Sequence, residues 1–319
     1  MGYGITIPFD HLALADHRAT LRELVELGYD EVWTAEANGT DAFTPLGLAA
    51  AWEPTLRLGC AIVPAYTRGP ALLAQTVAAM AEAAPGRFVF GIGSSSNVIV
   101  EQWNGIPFEE PYARVRDTTR FLKQALTGEK VDFEGSGFRV KGFKLGRPPK
   151  IQPKILIAGL REGMLRLAGR DSDGAIVNWL SAADVRKVAP IVHAGGPHKE
   201  IVARIFVCPN PDATLVRAQA RYAIAAYLNV PVYAAFHEWL GNGPRLRGMW
   251  DAWSAGDRKA ALAAIPDDLV DDLIVHGSPD ECRARIDEYF QSGVTTAALA
   301  VLNFGTDPAQ AIRDLAPRR

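Results

Sequence analysis

Short apolar bursts alternate with longer amphipathic stretches along most of the chain. The bursts at residues 4–7, 31–35, 56–63, 88–91, 154–157, 174–177, 201–207 and 295–301 read as strands. Between them the hydrophobic period lengthens. Residues 12–27 put Leu14, Leu21, Leu24 and Val25 on one helical face and stop at Gly28. Residues 112–126 align Val115, Leu122 and Leu126 in the same way, and further helices are predicted over 71–83, up to Gly169, 182–193 and 279–291. Two stretches depart from the alternation. Residues 131–140 alternate around a Gly-Ser-Gly turn, which predicts a β-hairpin, and residues 214–275 are mostly helical. Eight strands alternating with helices predict an α/β fold, a (β/α)8 TIM barrel with insertions after strands four and seven. A doubly wound open sheet is the alternative. Pro148-Pro149 marks a loop rather than a boundary, so residues 1–319 are read as one domain without internal repeats.

Composition narrows the partners. The chain has 319 residues, 48% of them hydrophobic, and a formal net charge of −2. No basic cluster is present, which argues against nucleic acid or an anionic membrane as partner. A small-molecule substrate is expected instead. Cys60, Cys208 and Cys282 are far apart and odd in number, which favours reduced thiols and a cytoplasmic location. Asp10, His11 and Asp16 interrupt the opening residues, so no signal peptide is read there, and no uninterrupted apolar run reaches about 18 residues.

In a β/α barrel the chemistry sits at the C-terminal ends of the strands. The segment Arg87-Phe-Val-Phe-Gly-Ile-Gly-Ser-Ser-Ser96 is the most informative of these ends. Its glycines admit close approach of a ligand and its serines offer donors, but Ser96 stands where a dinucleotide fingerprint needs a third glycine. The other strand ends are Thr34-Ala-Glu-Ala-Asn38, Cys60-Ala-Ile-Val-Pro64, Ala158-Gly-Leu-Arg161 and Asn178-Trp179. Ala158-Gly159-Leu160 opens a helix whose free N–H groups would attract phosphate. Glu36 is the lone carboxylate among these turns. No histidine adjoins a serine or cysteine, and there is no second carboxylate for glycosidase-like work. Apolar and hydrogen-bonding groups suited to a flat polar ring dominate, although ordinary βα-loops would look much the same one at a time. The six histidines show no metal spacing. Tyr66 and Trp103 are candidates to roof a pocket, Arg68 and Arg161 to reach a phosphate, and Trp239, Trp250 and Trp253 to pack a lid or a homodimer surface.

Several motifs occur together in a telling order: Val32-Trp33-Thr34-Ala35-Glu36, Asp41-Ala-Phe-Thr-Pro45, Leu56-Arg-Leu-Gly-Cys-Ala-Ile62 and Thr67-Arg-Gly-Pro70. With Pro85-Gly-Arg-Phe88, Gly91-Ile-Gly93, Ala168-Gly-Arg170 and Gly277-Ser-Pro279, the chain resembles the luciferase-like monooxygenase superfamily over nearly its whole length. Within that superfamily it is most similar to the deazaflavin branch, whose members use coenzyme F420.

The resemblance implies a cofactor lying across the C-terminal face of the barrel. It implies a non-proline cis peptide at or near Ala61-Ile62, backing the ring beside Cys60. It also implies Glu36 near the ring as binder or catalytic group, and a cofactor tail held by Gly93, Ser94, Ser95, Ala158, Gly159 and Leu160. Asn178 completes the implied cofactor-binding set. The sugar-phosphate dehydrogenases of the branch carry a histidine and a glutamate where this chain has Ala37 and Ser96. Their acid and base are therefore missing, and the closer likeness is to methylenetetrahydromethanopterin reductase-like enzymes. The expected activity is a coenzyme F420-dependent oxidoreductase that transfers hydride to or from a small organic substrate. An FMN-dependent luciferase-like monooxygenase is one alternative, and a non-catalytic cofactor-binding barrel is another.

Overall fold

The computed structural model describes residues 1–318. At its centre eight parallel strands close into a ring: Gly2–Thr6, Glu31–Thr34, Arg57–Cys60, Phe88–Gly93, Lys154–Ala158, Gly174–Asn178, Glu200–Cys208 and Thr296–Val301. Counted in chain order these are barrel strands one to eight. Each pairs with the next, and strand eight returns to strand one with Thr296 opposite Gly2. The ring excludes the open-sheet alternative. Helices His17–Glu26, Phe43–Trp52, Pro70–Ala83, Pro111–Ala125, Glu162–Asp171, Ala182–His193 and Pro279–Gln291 cover its outside.

Most elements lie where the hydrophobic pattern puts them. The helices starting at Ala182 and Pro279 begin sharply because Ser181 and Ser278 each form a reciprocal capping box, with Asp184 and Glu281. Helix Phe43–Trp52 is an addition to the elements expected from the sequence. Its residues are apolar nearly all round, so it lacks the polar stripe that marks an amphipathic helix. Helix Pro308–Asp314 is a second addition.

Strand alternation sorts the barrel side chains into two faces. Ile5, Val32, Leu58, Phe90, Ile157, Val177, Ile205 and Leu299 point outward into the main core against the helices. Trp33, Val89, Leu156, Ile176, Val202 and Ala298 point inward and fill the middle of the barrel. Full burial of side chains of this size stabilises by about 1.5–3 kcal/mol each. Gly59 is required here, since a Cβ at that position would lie 2.3 Å from the Trp33 ring. Below this plug, at the N-terminal end, Glu31 accepts from Trp33 Nε1 at 2.9 Å and from Arg57 at 3.0 Å. Arg57 also donates to Glu200 at 2.6 Å, and Lys154 pairs with Glu200. A cavity of about 450 Å³ opens at this end, lined in part by Glu31, Arg57 and Glu200. Its charges are mutually paired, and this end of a barrel serves stability.

Two segments depart from simple alternation. Between strands four and five, the strands Lys130–Glu134 and Arg139–Lys144 form an antiparallel hairpin. Phe133, Phe138 and Phe143 of this hairpin each sit 5.9 Å from the Phe121 ring. Between strands seven and eight lie helices Ala213–Leu228, Pro231–Leu240, Gly243–Ser254, Arg258–Ala263 and Asp267–Leu273. Their apolar faces form a second cluster that includes Phe206 and Ala300 of the barrel. The insertion is thus fused to the C-terminal end of the ring. Among the described residues no helix is long and apolar enough to cross a membrane.

Candidate active site

The C-terminal mouth rests on the interior plug. Ala61, Ile62 and Ala158 pack directly on that cluster and remain partly open above it. Small side chains here leave a shallow floor instead of a filled core. The peptide between Ala61 and Ile62 is cis, at the position the sequence motifs imply. The backbone around it is tied down: Ala61 N donates to Thr34 O at 2.5 Å, and Glu36 N donates to Ile62 O at 3.1 Å. The two glycines of strand four serve different ends. A Cβ on Gly91 would lie 2.0 Å from the Cys60 carbonyl oxygen, so that glycine is required by packing alone. A Cβ on Gly93 would lie 3.0 Å from the Ala158 Cβ and 3.2 Å from the Ile62 side chain, so its absence keeps the floor open.

Cys60 contributes differently from Ala61 and Ile62. Its side chain belongs to the outer core with Leu58, not to the interior plug, and it is fully buried. Burial pushes the thiol up, and the nearby Glu36 charge adds to the effect. Cys60 therefore meets the mouth only through its backbone.

Glu36 is not a free carboxylate. Arg68 grips it with both terminal nitrogens, at 2.7 and 2.6 Å, and Ala42 N donates to it at 3.1 Å. Burial pulls the Arg68 guanidinium down, but its bonds to Glu36 outweigh this and hold it above its ordinary value. Arg68 also lies over the Phe43 ring at 4.9 Å. The pair braces the loop after strand two against the turn after strand three. A carboxylate held bidentately in this way positions other groups better than it relays a proton.

The turn after strand four carries Ser94 and Ser95, both half-buried at the rim. Ser95 has φ 62°, a left-handed conformation unusual for a residue with a side chain. Ser96 turns away: its hydroxyl accepts from Ile99 N at 3.3 Å and its carbonyl from Val100 N at 2.9 Å. Beside this turn, Gly159 and Leu160 lead into helix Glu162–Asp171, whose first turn has no side-chain cap. Arg161 stands at that N-terminus, exposed and, among the described residues, without an ionic partner. The serine turn and the helix start are thus adjacent, on neighbouring strands, and present an anion-attracting rim.

The far wall is aromatic. Asn178 ends strand six and its amide donates to the Tyr233 hydroxyl at 3.4 Å. Trp179 follows with φ 54° and stacks on Phe206 of strand seven at 4.1 Å. Tyr227 lies 5.0 Å from Trp179 and 6.0 Å from Tyr233. His237 of the same helix as Tyr233 is fully buried, and burial pushes its pKa down to about 4, with the Arg245 charge reinforcing. Phe206, Tyr227 and Tyr233 were not singled out from the sequence, because only the fold of the insertion brings them to Trp179. Arg204 was also missed, although a charged residue inside the apolar run 201–207 is a visible signal.

Other sequence candidates fall outside the mouth. Tyr66 is buried against Phe108 and Arg114, and its hydroxyl donates to Glu109 O at 2.6 Å. Trp103 is exposed. Trp239 stacks on Phe236 and lies under Lys187 of helix Ala182–His193, so it packs the insertion against the barrel, whereas Trp250 donates to Leu228 O at 2.9 Å within the insertion. His17 caps its own surroundings, accepting from Phe9 N at 2.8 Å. Among the described residues no cluster of histidine, cysteine or carboxylate side chains could hold a metal ion.

The same architecture recurs in known proteins. The family model described as luciferase-like monooxygenase matches residues 1–296. The 5,10-methylenetetrahydromethanopterin reductase of Methanolobus tindarius is 28% identical over 305 residues, covering 92% of each chain. The coenzyme F420-dependent tetrahydromethanopterin reductase of Methanopyrus kandleri superposes with a TM-score of 0.80 at 20% identity, over 99% of this chain and 97% of that one. An F420-dependent secondary alcohol dehydrogenase, solved with an F420-acetone adduct, superposes with a TM-score of 0.76 at 16% identity, over 98% and 96% of the two chains. The match over all but the last residues makes this chain a member of the luciferase-like monooxygenase family.

Proposed function

We propose that this chain is a coenzyme F420-dependent oxidoreductase that transfers hydride between the cofactor and a small organic substrate. The observation that carries the reading is the mouth itself: a floor of Ala61, Ile62, Gly93 and Ala158 beside an anion-attracting rim. A planar ring with a phosphate-bearing tail matches both parts. The similarity to the methylenetetrahydromethanopterin reductase over nearly the full chain supports the deazaflavin rather than the flavin.

Residues fall into roles by position. Ala61 and Ile62 would back the ring, and Gly93 would leave it room. Ser94, Ser95, Gly159 and Leu160 would hold the tail through backbone and hydroxyl donors. Asn178 would meet a polar edge of the ring. Glu36 would act through Arg68, fixing the loop that closes one side. When bound, the deazaflavin supplies a hydride-carrying carbon and activates oxygen poorly. The protein then needs to orient, to exclude water and to hold charge, and near contact of donor and acceptor supplies much of the rate. That requirement agrees with a mouth poor in acid and base groups.

The test is a pair of titrations of the purified chain, with coenzyme F420 and with FMN, followed by cofactor fluorescence. Tighter binding of coenzyme F420 is expected. Micromolar binding of FMN with no measurable deazaflavin binding overturns the proposal.

A further inference from the structure

Among the described residues, Arg18, Arg161 and Arg204 are the arginines for which the structure shows neither an ion pair nor a hydrogen bond to protein. Arg18 and Arg161 are exposed, where water serves them. Arg204 is different. It belongs to strand seven, whose inward set contains Val202 of the interior plug, so alternation turns Arg204 into the barrel one level higher. Its Nε is buried and has no partner. Its guanidinium lies over the Phe206 ring at 5.1 Å, and its charge acts on the buried Tyr233 hydroxyl. In the sheet it sits opposite Asn178, at the level where the mouth opens.

A partly buried guanidinium with an unmet donor is destabilising in a protein that has no use for it. A planar fork of N–H donors set over an aromatic ring is suited to a carboxylate or a similar oxyanion gripped through two bonds. Position around the ring says whose oxyanion it is. Strands three and four carry the floor and the serine turn, and strand five carries the helix start. Strand seven lies four places from strand three in a ring of eight, directly across the mouth. It adjoins the aromatic wall instead of the anion-attracting rim.

We propose that Arg204 is the substrate-recognition residue of this site, and that the substrate is an oxyanion, a carboxylate carried on a small organic body. This rests on the functional reading above only in calling the guest a substrate; the anion site itself stands on Arg204. The other source of the same chemistry is the phosphate of the cofactor tail.

The experiment compares the full-length wild type with Arg204→Gln and Arg204→Lys. Three carboxylates of rising size (acetate, benzoate and cinnamate), each against its amide, are titrated by calorimetry with and without coenzyme F420. Binding of coenzyme F420 is measured separately by its fluorescence. Near-ultraviolet circular dichroism and the thermal midpoint report folding; removal of an unpaired charge should leave the midpoint unchanged or raise it. The expected result is a carboxylate bound at least tenfold more tightly than its amide by wild type. Arg204→Gln should erase that preference, Arg204→Lys should restore part of it, and coenzyme F420 affinity should stay within twofold. If no carboxylate is preferred over its amide, or if the preference survives in Arg204→Gln, the proposal is wrong. If Arg204→Gln instead weakens coenzyme F420 tenfold, Arg204 belongs to the cofactor and the proposal is overturned. If the chain binds no coenzyme F420 but shows an Arg204-dependent carboxylate preference, the anion site stands and the cofactor assignment fails.

Discussion

His237 gives the fold a defined sensitivity to acid. It sits on helix Pro231–Leu240, fully buried, with Nε2 unpartnered and Nδ1 3.3 Å from the Asn242 amide. Burial is the main cause that lowers its pKa from 6.5 to about 4. The difference from the ordinary value is worth about 3 kcal/mol. The native state therefore keeps the ring neutral at pH values where the unfolded chain has already taken up a proton. Between about pH 6.5 and pH 4 the unfolded state binds more protons, so stability is complete above the upper value and falls as pH drops through the window. The slope should approach about 1.4 kcal/mol per pH unit from this group alone. Urea unfolding of wild type and His237→Phe at half-unit steps from pH 4 to 7.5 isolates the effect, because the arginine-paired carboxylates contribute equally to both proteins. Wild type should lose about 3 kcal/mol more than the variant over the window. Parallel curves would refute the reasoning.

Two substitutions test the cofactor side of the site. Ser94→Asp places a negative charge beside the expected phosphate tail, so coenzyme F420 affinity should drop by tenfold or more, measured by fluorescence titration; an unchanged affinity in a folded variant moves the tail elsewhere. Glu36→Gln leaves Arg68 half-satisfied, so stability should fall by about 1–3 kcal/mol in urea and cofactor affinity severalfold, with turnover at saturating cofactor within twofold of wild type. Lost turnover with intact affinity would make Glu36 a proton relay instead of a brace.

The barrel was legible because each strand is a short apolar run set between longer amphipathic stretches. Helix Phe43–Trp52 was not, since a helix apolar on every side carries no period to read. The strand-end turns could be listed from the sequence, and Ala61, Ile62 and Ala158 do sit together on the interior plug. Which way a residue faces was harder. Cys60 and Ala61 are neighbours in the chain, yet alternation sends the thiol outward and leaves the alanine at the mouth. The partner of Glu36 was hidden for another reason: Arg68 lies 32 residues on, and only the pairing of strands two and three brings them together. The aromatic wall was hidden likewise, because Tyr227 and Tyr233 reach Trp179 only through the folded insertion.

The plug of Trp33, Leu156 and Val202 also governs traffic. These side chains are at most 1% exposed and block any passage from the N-terminal cavity to the mouth. A vessel stoppered at one end has a single door. Any ligand seated above Ala61 and Ala158 would have to enter and leave through the opening beside the serine turn.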